Sequence, residues 1–156
     1  MTARRLAAIL ALLAIAAPAA AQGRPIRVEG VKPLAFGFLL PGVGTTVLRS
    51  DPVRAGQLNL AAQPNAQIIL QLSLPSVMTG PAGRTIPLVF GANDAGYSAA
   101  ESIGSQQAFD PRISIVVLTN TKNGRGSVYL GGTAQPAANQ QPGSYSAVIT
   151  LTVAYP

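Results

Sequence analysis

Cysteine, histidine and tryptophan are all missing from this chain of 156 residues, and acidic residues number only five. Without cysteine there is no disulfide and no thiolate for metal binding or nucleophilic attack. Without histidine the most frequent general base is gone, and no side chain has an ordinary pKa between about pH 5 and 8. Glu101 and Asp110 are the one carboxylate pair to consider for glycoside hydrolysis. That chemistry needs a fixed separation, and nothing in their spacing sets one. Ser144 and Ser146 have no base to activate them. Asn93-Asp94-Ala95-Gly96 lacks the repeated oxygen ligands of a calcium loop and reads as a turn. The composition points away from an enzyme, and no cofactor or metal site is expected.

Charge is also sparse. The formal net charge is +6, of which Arg4 and Arg5 supply two, leaving +4 over the rest. The remaining basic residues are scattered and not interleaved with aromatics, so nucleic acid is not an expected partner. Arg84, Arg112, Lys122 and Arg125 read as solvated surface, with contact to an acidic glycan or surface polymer as the alternative.

The first residues read as an export signal. Arg4 and Arg5 precede the apolar run Leu6–Ala17, Pro18 breaks it, and Ala19-Ala20-Ala21 forms a small-residue cleavage site. The run is too short to cross a bilayer, which takes roughly 20 residues. We expect a signal peptide over 1–21, a single domain over 22–156, and no integral membrane span after signal removal.

What the rest of the sequence offers is alternation. Tyr145, Ala147, Ile149, Leu151, Val153 and Tyr155 form one apolar face of a last strand that Gly143 opens. Gln67–Leu74 repeats the pattern, with Ile68, Leu70, Leu72 and Leu74 together. Further strands are expected over Val28–Leu40, Thr45–Arg49, Gly56–Ala61, Thr85–Phe90 (an edge or bulge because of Pro87), Ile113–Thr119 and Ser127–Leu130. A short edge segment is expected near Val77 and Met78, a long loop over Gly91–Gln107 with an edge strand within it as the alternative, and a connection over Gly131–Pro142. Tyr145, Tyr155, Phe36, Phe38 and Phe90 are expected to fill the core. Many short strands with turns between them predict an all-β Greek-key sandwich, with a small barrel as the structural rival.

Several segments carry a family resemblance. Leu34-Ala35-Phe36-Gly37, Gly56-Gln57-Leu58-Asn59-Leu60, the turn at Pro64-Asn65, Ile69–Pro75, Val128–Thr133, Gln141–Ser146 and Leu151–Tyr155 occur in order. Together they resemble the DUF4402 family of exported bacterial proteins, related to fimbrial and spore-coat-U-like domains. The resemblance implies an immunoglobulin-like or pilin-like sandwich in the periplasm, at the outer surface or outside a Gram-negative cell. Gly143 and Tyr155 are also similar in placement to a glycine and tyrosine near the end of chaperone–usher pilins, although the common pilin cysteine pair is missing. That similarity implies docking of the last strand on a periplasmic chaperone, then assembly of homotypic subunits by strand complementation. Ile26 and Val28 would then belong to the donor segment, although Glu29 and Lys32 interrupt its apolar character. Two readings stay open. One is a non-enzymatic surface, fimbrial-like or coat subunit, and the other is an envelope-associated module that binds a glycan or protein.

Overall fold

In strand β4 (Gln67–Ser73) Ile68, Leu70 and Leu72 are buried while Gln67, Gln71 and Ser73 are exposed. One face of a pleated strand covers apolar neighbours and the other meets water, as the period of two requires. The structure, a computed structural model, describes residues 23–156; the expected signal peptide lies outside the described residues. The other strands are β1 (Arg27–Lys32), β2 (Thr45–Val47), β3 (Gly56–Ala61), β5 (Val77–Thr79), β6 (Thr85–Val89), β7 (Ala95–Ser98), β8 (Gln107–Phe109), β9 (Ile115–Leu118), β10 (Arg125–Leu130), β11 (Gly132–Ala134) and β12 (Thr150–Ala154). There is no α-helix among the described residues, hence none long and apolar enough to cross a membrane.

The strands form three antiparallel sheets in a sandwich-like all-β fold. Their orders are β1-β3-β10-β7-β8, β2-β11-β6-β5 and β12-β4-β9. Leu60 and Val128 from the first sheet, Val47 and Ile86 from the second, and Ile68 and Leu70 from the third meet in one buried cluster. Each such side chain contributes roughly 1.5–3 kcal/mol by leaving water.

Two corners join the sheets. Strands β10 and β11 are separated only by Gly131, where the chain passes from the five-stranded to the four-stranded sheet. A Cβ on Gly131 would collide with the Val47 carbonyl and lie 2.7 Å from the Arg49 nitrogen, so the crossing needs glycine. The second corner is in the last segment. Ser146 exchanges both backbone bonds with Thr79 of β5, at 2.8 and 3.0 Å, before β12 pairs with β4.

Some expectations need correction. The region expected as a strand over Val28–Leu40 is a strand only to Lys32. Gly37 takes φ 72°, and Phe38 beyond it is fully exposed, whereas Phe36 is buried as expected. The expected loop over Gly91–Gln107 contains a strand, β7, but not the edge strand of the alternative: β7 is internal and wholly buried between β10 and β8. The expected connection over Gly131–Pro142 contains β11. Strand β6 is not an edge but lies between β5 and β11. Pro87 accepts a bond from the Gln135 N–H at 2.9 Å and cannot return one, and β11 ends at Ala134.

Candidate functional site

The last segment carries the residues singled out from the sequence. Gly143 lies against Pro81, where a Cβ would come within 2.5 Å of the proline ring. Tyr145 lays its ring over Gly80, close enough that a Cβ there would sit 2.6 Å from the ring. Its hydroxyl donates to the Gln141 carbonyl at 2.9 Å and accepts from Gln140 Nε2 at 2.7 Å. Ile149, Leu151, Val153 and Tyr155 pack on the core side, while Ala147 is exposed. Leu151 stands opposite Leu72, and Val153 opposite Leu70. Only Thr150–Ala154 is strand, so the expected continuous strand from Ser144 to Tyr155 is interrupted.

Ile26 and Val28 lie elsewhere, at the free edge of the five-stranded sheet. Ile26 is half-buried against the core, and Val28 pairs with Leu60 of β3 but is 40% exposed. The two ends of the described residues meet at Tyr155. Its hydroxyl donates to the Arg24 carbonyl at 2.6 Å and accepts from the Gln63 N–H at 2.9 Å.

Between the segments Leu34–Pro41 and Gln140–Tyr145 runs a groove of about 750 Å³, floored by Met78 and Ile86. Among the described residues no charged side chain lines it. Neither wall forms a strand, and the backbone N–H groups of Phe36–Leu40 bond to no backbone carbonyl among the described residues. Phe38, Leu40 and Val148 leave large apolar side chains exposed in these two segments and just beyond. Unpaired backbone N–H groups beside apolar surface offer a partner to an added β-strand. Sequence reasoning missed the groove, because its walls look like ordinary strand and loop until the ladder partners are known.

The carboxylates are engaged elsewhere. Asp110 pairs with Arg112 at 2.7 Å, whose side-chain hydrogen bonds hold its carboxyl at about 2. Asp51 is held below the usual range by the backbone N–H groups of Arg54 and Val53. Glu101 lies 3.8 Å from Arg125. Glu101 and Asp110 thus face separate arginines. The cations Arg84, Arg112, Lys122 and Arg125 are all exposed.

An all-β, sandwich-like fold with an uncharged groove is the class these observations define. Residues 26–155 match the family described as "Domain of unknown function (DUF4402)", and the chain belongs to that family. No curated protein matches it.

Proposed function

We propose that this chain is a non-enzymatic exported structural protein, a surface, fimbrial-like or coat subunit that assembles through sheet edges. The fold reading that goes with it is an immunoglobulin-like or pilin-like Greek-key sandwich, in the envelope or outside a Gram-negative cell. The observation that carries the proposal is the uncharged groove between Leu34–Pro41 and Gln140–Tyr145, bordered by the unpaired backbone N–H groups of Phe36–Leu40 and by exposed Phe38. Backbone pairing would supply affinity there, and alternate side chains would supply fit. A periplasmic chaperone strand is a natural transient occupant of such a groove.

The exposed ring of Phe38 beside Tyr145 favours a second reading, in which the groove takes a glycan or peptide ligand. Unheated envelope extract, separated by size and blotted for this chain, tests the first reading. A ladder that collapses on boiling supports the subunit. Monomer alone, after cross-linking in intact cells to prevent loss of multimers, refutes it and leaves the recognition module.

A further inference from the structure

Sheet edges that meet water are usually guarded by charge, proline or a bulge, and two edges of this fold differ in that respect. Strand β1 carries Arg27, Glu29 and Lys32, and its ladder to β3 shifts register between Gly30 and Lys32. Strand β9, the edge of the third sheet, reads Ile115-Val116-Val117-Leu118, with no charge, no proline and no shift in its ladder to β4. Its outward side chains are apolar, Val116 at 59% exposure and Leu118 at 54%. The Thr119 N–H bonds the Ala66 carbonyl, so alternation turns the N–H and carbonyl groups of Val116 and Leu118 to the open side. The Leu118 carbonyl is taken by the Tyr97 hydroxyl. The Val116 N–H, the Val116 carbonyl and the Leu118 N–H remain for a partner. A cleft of about 470 Å³, lined by Gln107 as well as by Val116 and Leu118, opens beside the strand.

We infer that β9 pairs with β9 of a second copy, antiparallel about a two-fold axis, so that the three-stranded sheets of the two copies run on into each other. The inference rests on the reading of the chain as an assembling subunit and names one lateral contact of that assembly. No segment leaves its own fold, and the contact lies on another sheet from the groove. The second copy is the fitting occupant because the strand is its own complement. With Val116 opposite the partner's Val116, both free groups of each Val116 are used, and each Leu118 N–H meets the carbonyl of the partner's Ser114. A register centred on Val117 would need the Leu118 carbonyl that Tyr97 already holds. Charge agrees with the same alignment. The chain is net positive, yet antiparallel pairing sends Lys122, beyond one end of β9, toward the other end of the partner's strand. There Asp110 and Arg112 cancel each other at 2.7 Å, so no like charges are opposed. Strands of four residues bury far less than the roughly 800 Å² per partner of a stable complex, so the contact is weak between free copies. It gains strength where neighbours are already held side by side.

The chain has no cysteine of its own, so an introduced thiol reports without background, and a disulfide captures a weak contact. A residue on the two-fold axis meets itself, and facing residues of a hydrogen-bonded antiparallel pair lie within disulfide reach. Full-chain Val116→Cys should therefore oxidise to a dimer about ten times faster than Val148→Cys, which is more exposed, at 81%, but lies off the edge. Ser114→Cys mixed with Leu118→Cys should link to each other in preference to themselves, as mass spectrometry of the linked peptides will show. Adding Ser114→Lys, a guard at an exposed position beside β9, should bring the Val116→Cys rate down to that of Val148→Cys. If Val116→Cys links no faster than Val148→Cys, or ignores Ser114→Lys, the links are random collisions and β9 pairing is wrong. Self-links of Ser114→Cys or Leu118→Cys in place of the mixed link overturn the register. Multimers in unheated extract without the Val116 link leave the subunit reading standing on other surfaces; monomer alone without the link removes both.

Discussion

Tyr97 links the two faces of the sandwich, and its ionisation gives a test with a defined sign. It stands on β7 in the five-stranded sheet, 6% exposed, with its ring over Gly126. Its hydroxyl donates to the Leu118 carbonyl of β9 at 3.0 Å. The Thr119 N–H bonds the Ala66 carbonyl, so by alternation the Leu118 carbonyl points away from β4. Tyr97 therefore satisfies an acceptor on the open side of an edge strand. Replacing it with phenylalanine keeps the ring and removes the bond. Leu118 is exposed, so water reaches the freed carbonyl, and the loss at neutral pH should be about 1 kcal/mol.

High pH reverses the order. Burial pushes the Tyr97 phenol up to about 12, from its ordinary value of 10.0. The folded state then holds the proton more tightly than the unfolded state does. That contribution is complete below about pH 10 and is lost as pH rises through about 12. The parent should lose up to roughly 1.4 kcal/mol per pH unit across that window, in excess of Tyr97→Phe. The variant should be the weaker protein near neutrality and the stronger one above about pH 11. Urea denaturation followed by circular dichroism, at a series of pH values for both proteins, measures this. If the two stability curves stay parallel above about pH 10, Tyr97 titrates as a free phenol and the burial argument fails.

The alternation of the last segment can be tested by a neighbouring pair. Ile149→Asp should cost more than about 3 kcal/mol, because it places an unpaired charge against the core, whereas Val148→Asp at 81% exposure should stay within about 0.5. Equal thermal melts of the two variants would mean that the facing is wrong. Gly131→Ala should unfold or strongly destabilise the chain, since its Cβ meets the Val47 backbone at the corner between sheets; a parental denaturation midpoint would contradict that geometry. With no histidine in the chain, the melting temperature should be nearly constant between about pH 5 and 8, and a sigmoidal change in calorimetry there would reveal a perturbed group not described above.

The parts of the fold that could be read from sequence are those with one wet face and one dry face. Gln67–Leu74 was legible because Gln67, Gln71 and Ser73 meet solvent while Ile68, Leu70 and Leu72 do not. Strand β7 was not, because Ala95, Gly96, Tyr97 and Ser98 are all buried and show no alternation. Gly96 is small for a local reason: Arg49 and Gln106 lie across it, leaving no room for a side chain. Strand β11 was hidden in the same way, since the glycines that turn the corner look like loop residues. In Leu34–Leu40 the period of two is present in the residues, but the positive φ of Gly37 breaks its phase and turns Phe38 outward. The last segment shows the limit most plainly. Alternation reports which side chains face the core, and it did so for Tyr145, Ile149, Leu151, Val153 and Tyr155. It carries no information about the ladder partner, which changes from β5 to β4 between Ser146 and Thr150.

That change of partner places the weakest pairing of the fold beside the groove. Between β5 and the last segment only Thr79 and Ser146 exchange bonds, whereas β12 and β4 pair over five residues. One wall of the groove, Gln140–Tyr145, is held by that single bridge, by Gly143 against Pro81, by the Tyr145 ring on Gly80 and by the Gln140 N–H on the Ala137 carbonyl. The other wall, Leu34–Pro41, follows β1, whose own attachment is mostly backbone. The central strands β4 and β10 are paired on both sides and carry the core, so the loosely held parts can move without dissolving it. Tyr155 ties one of these loosely held segments to the core, with its ring packed against that core and its hydroxyl on the segment that leads into β1.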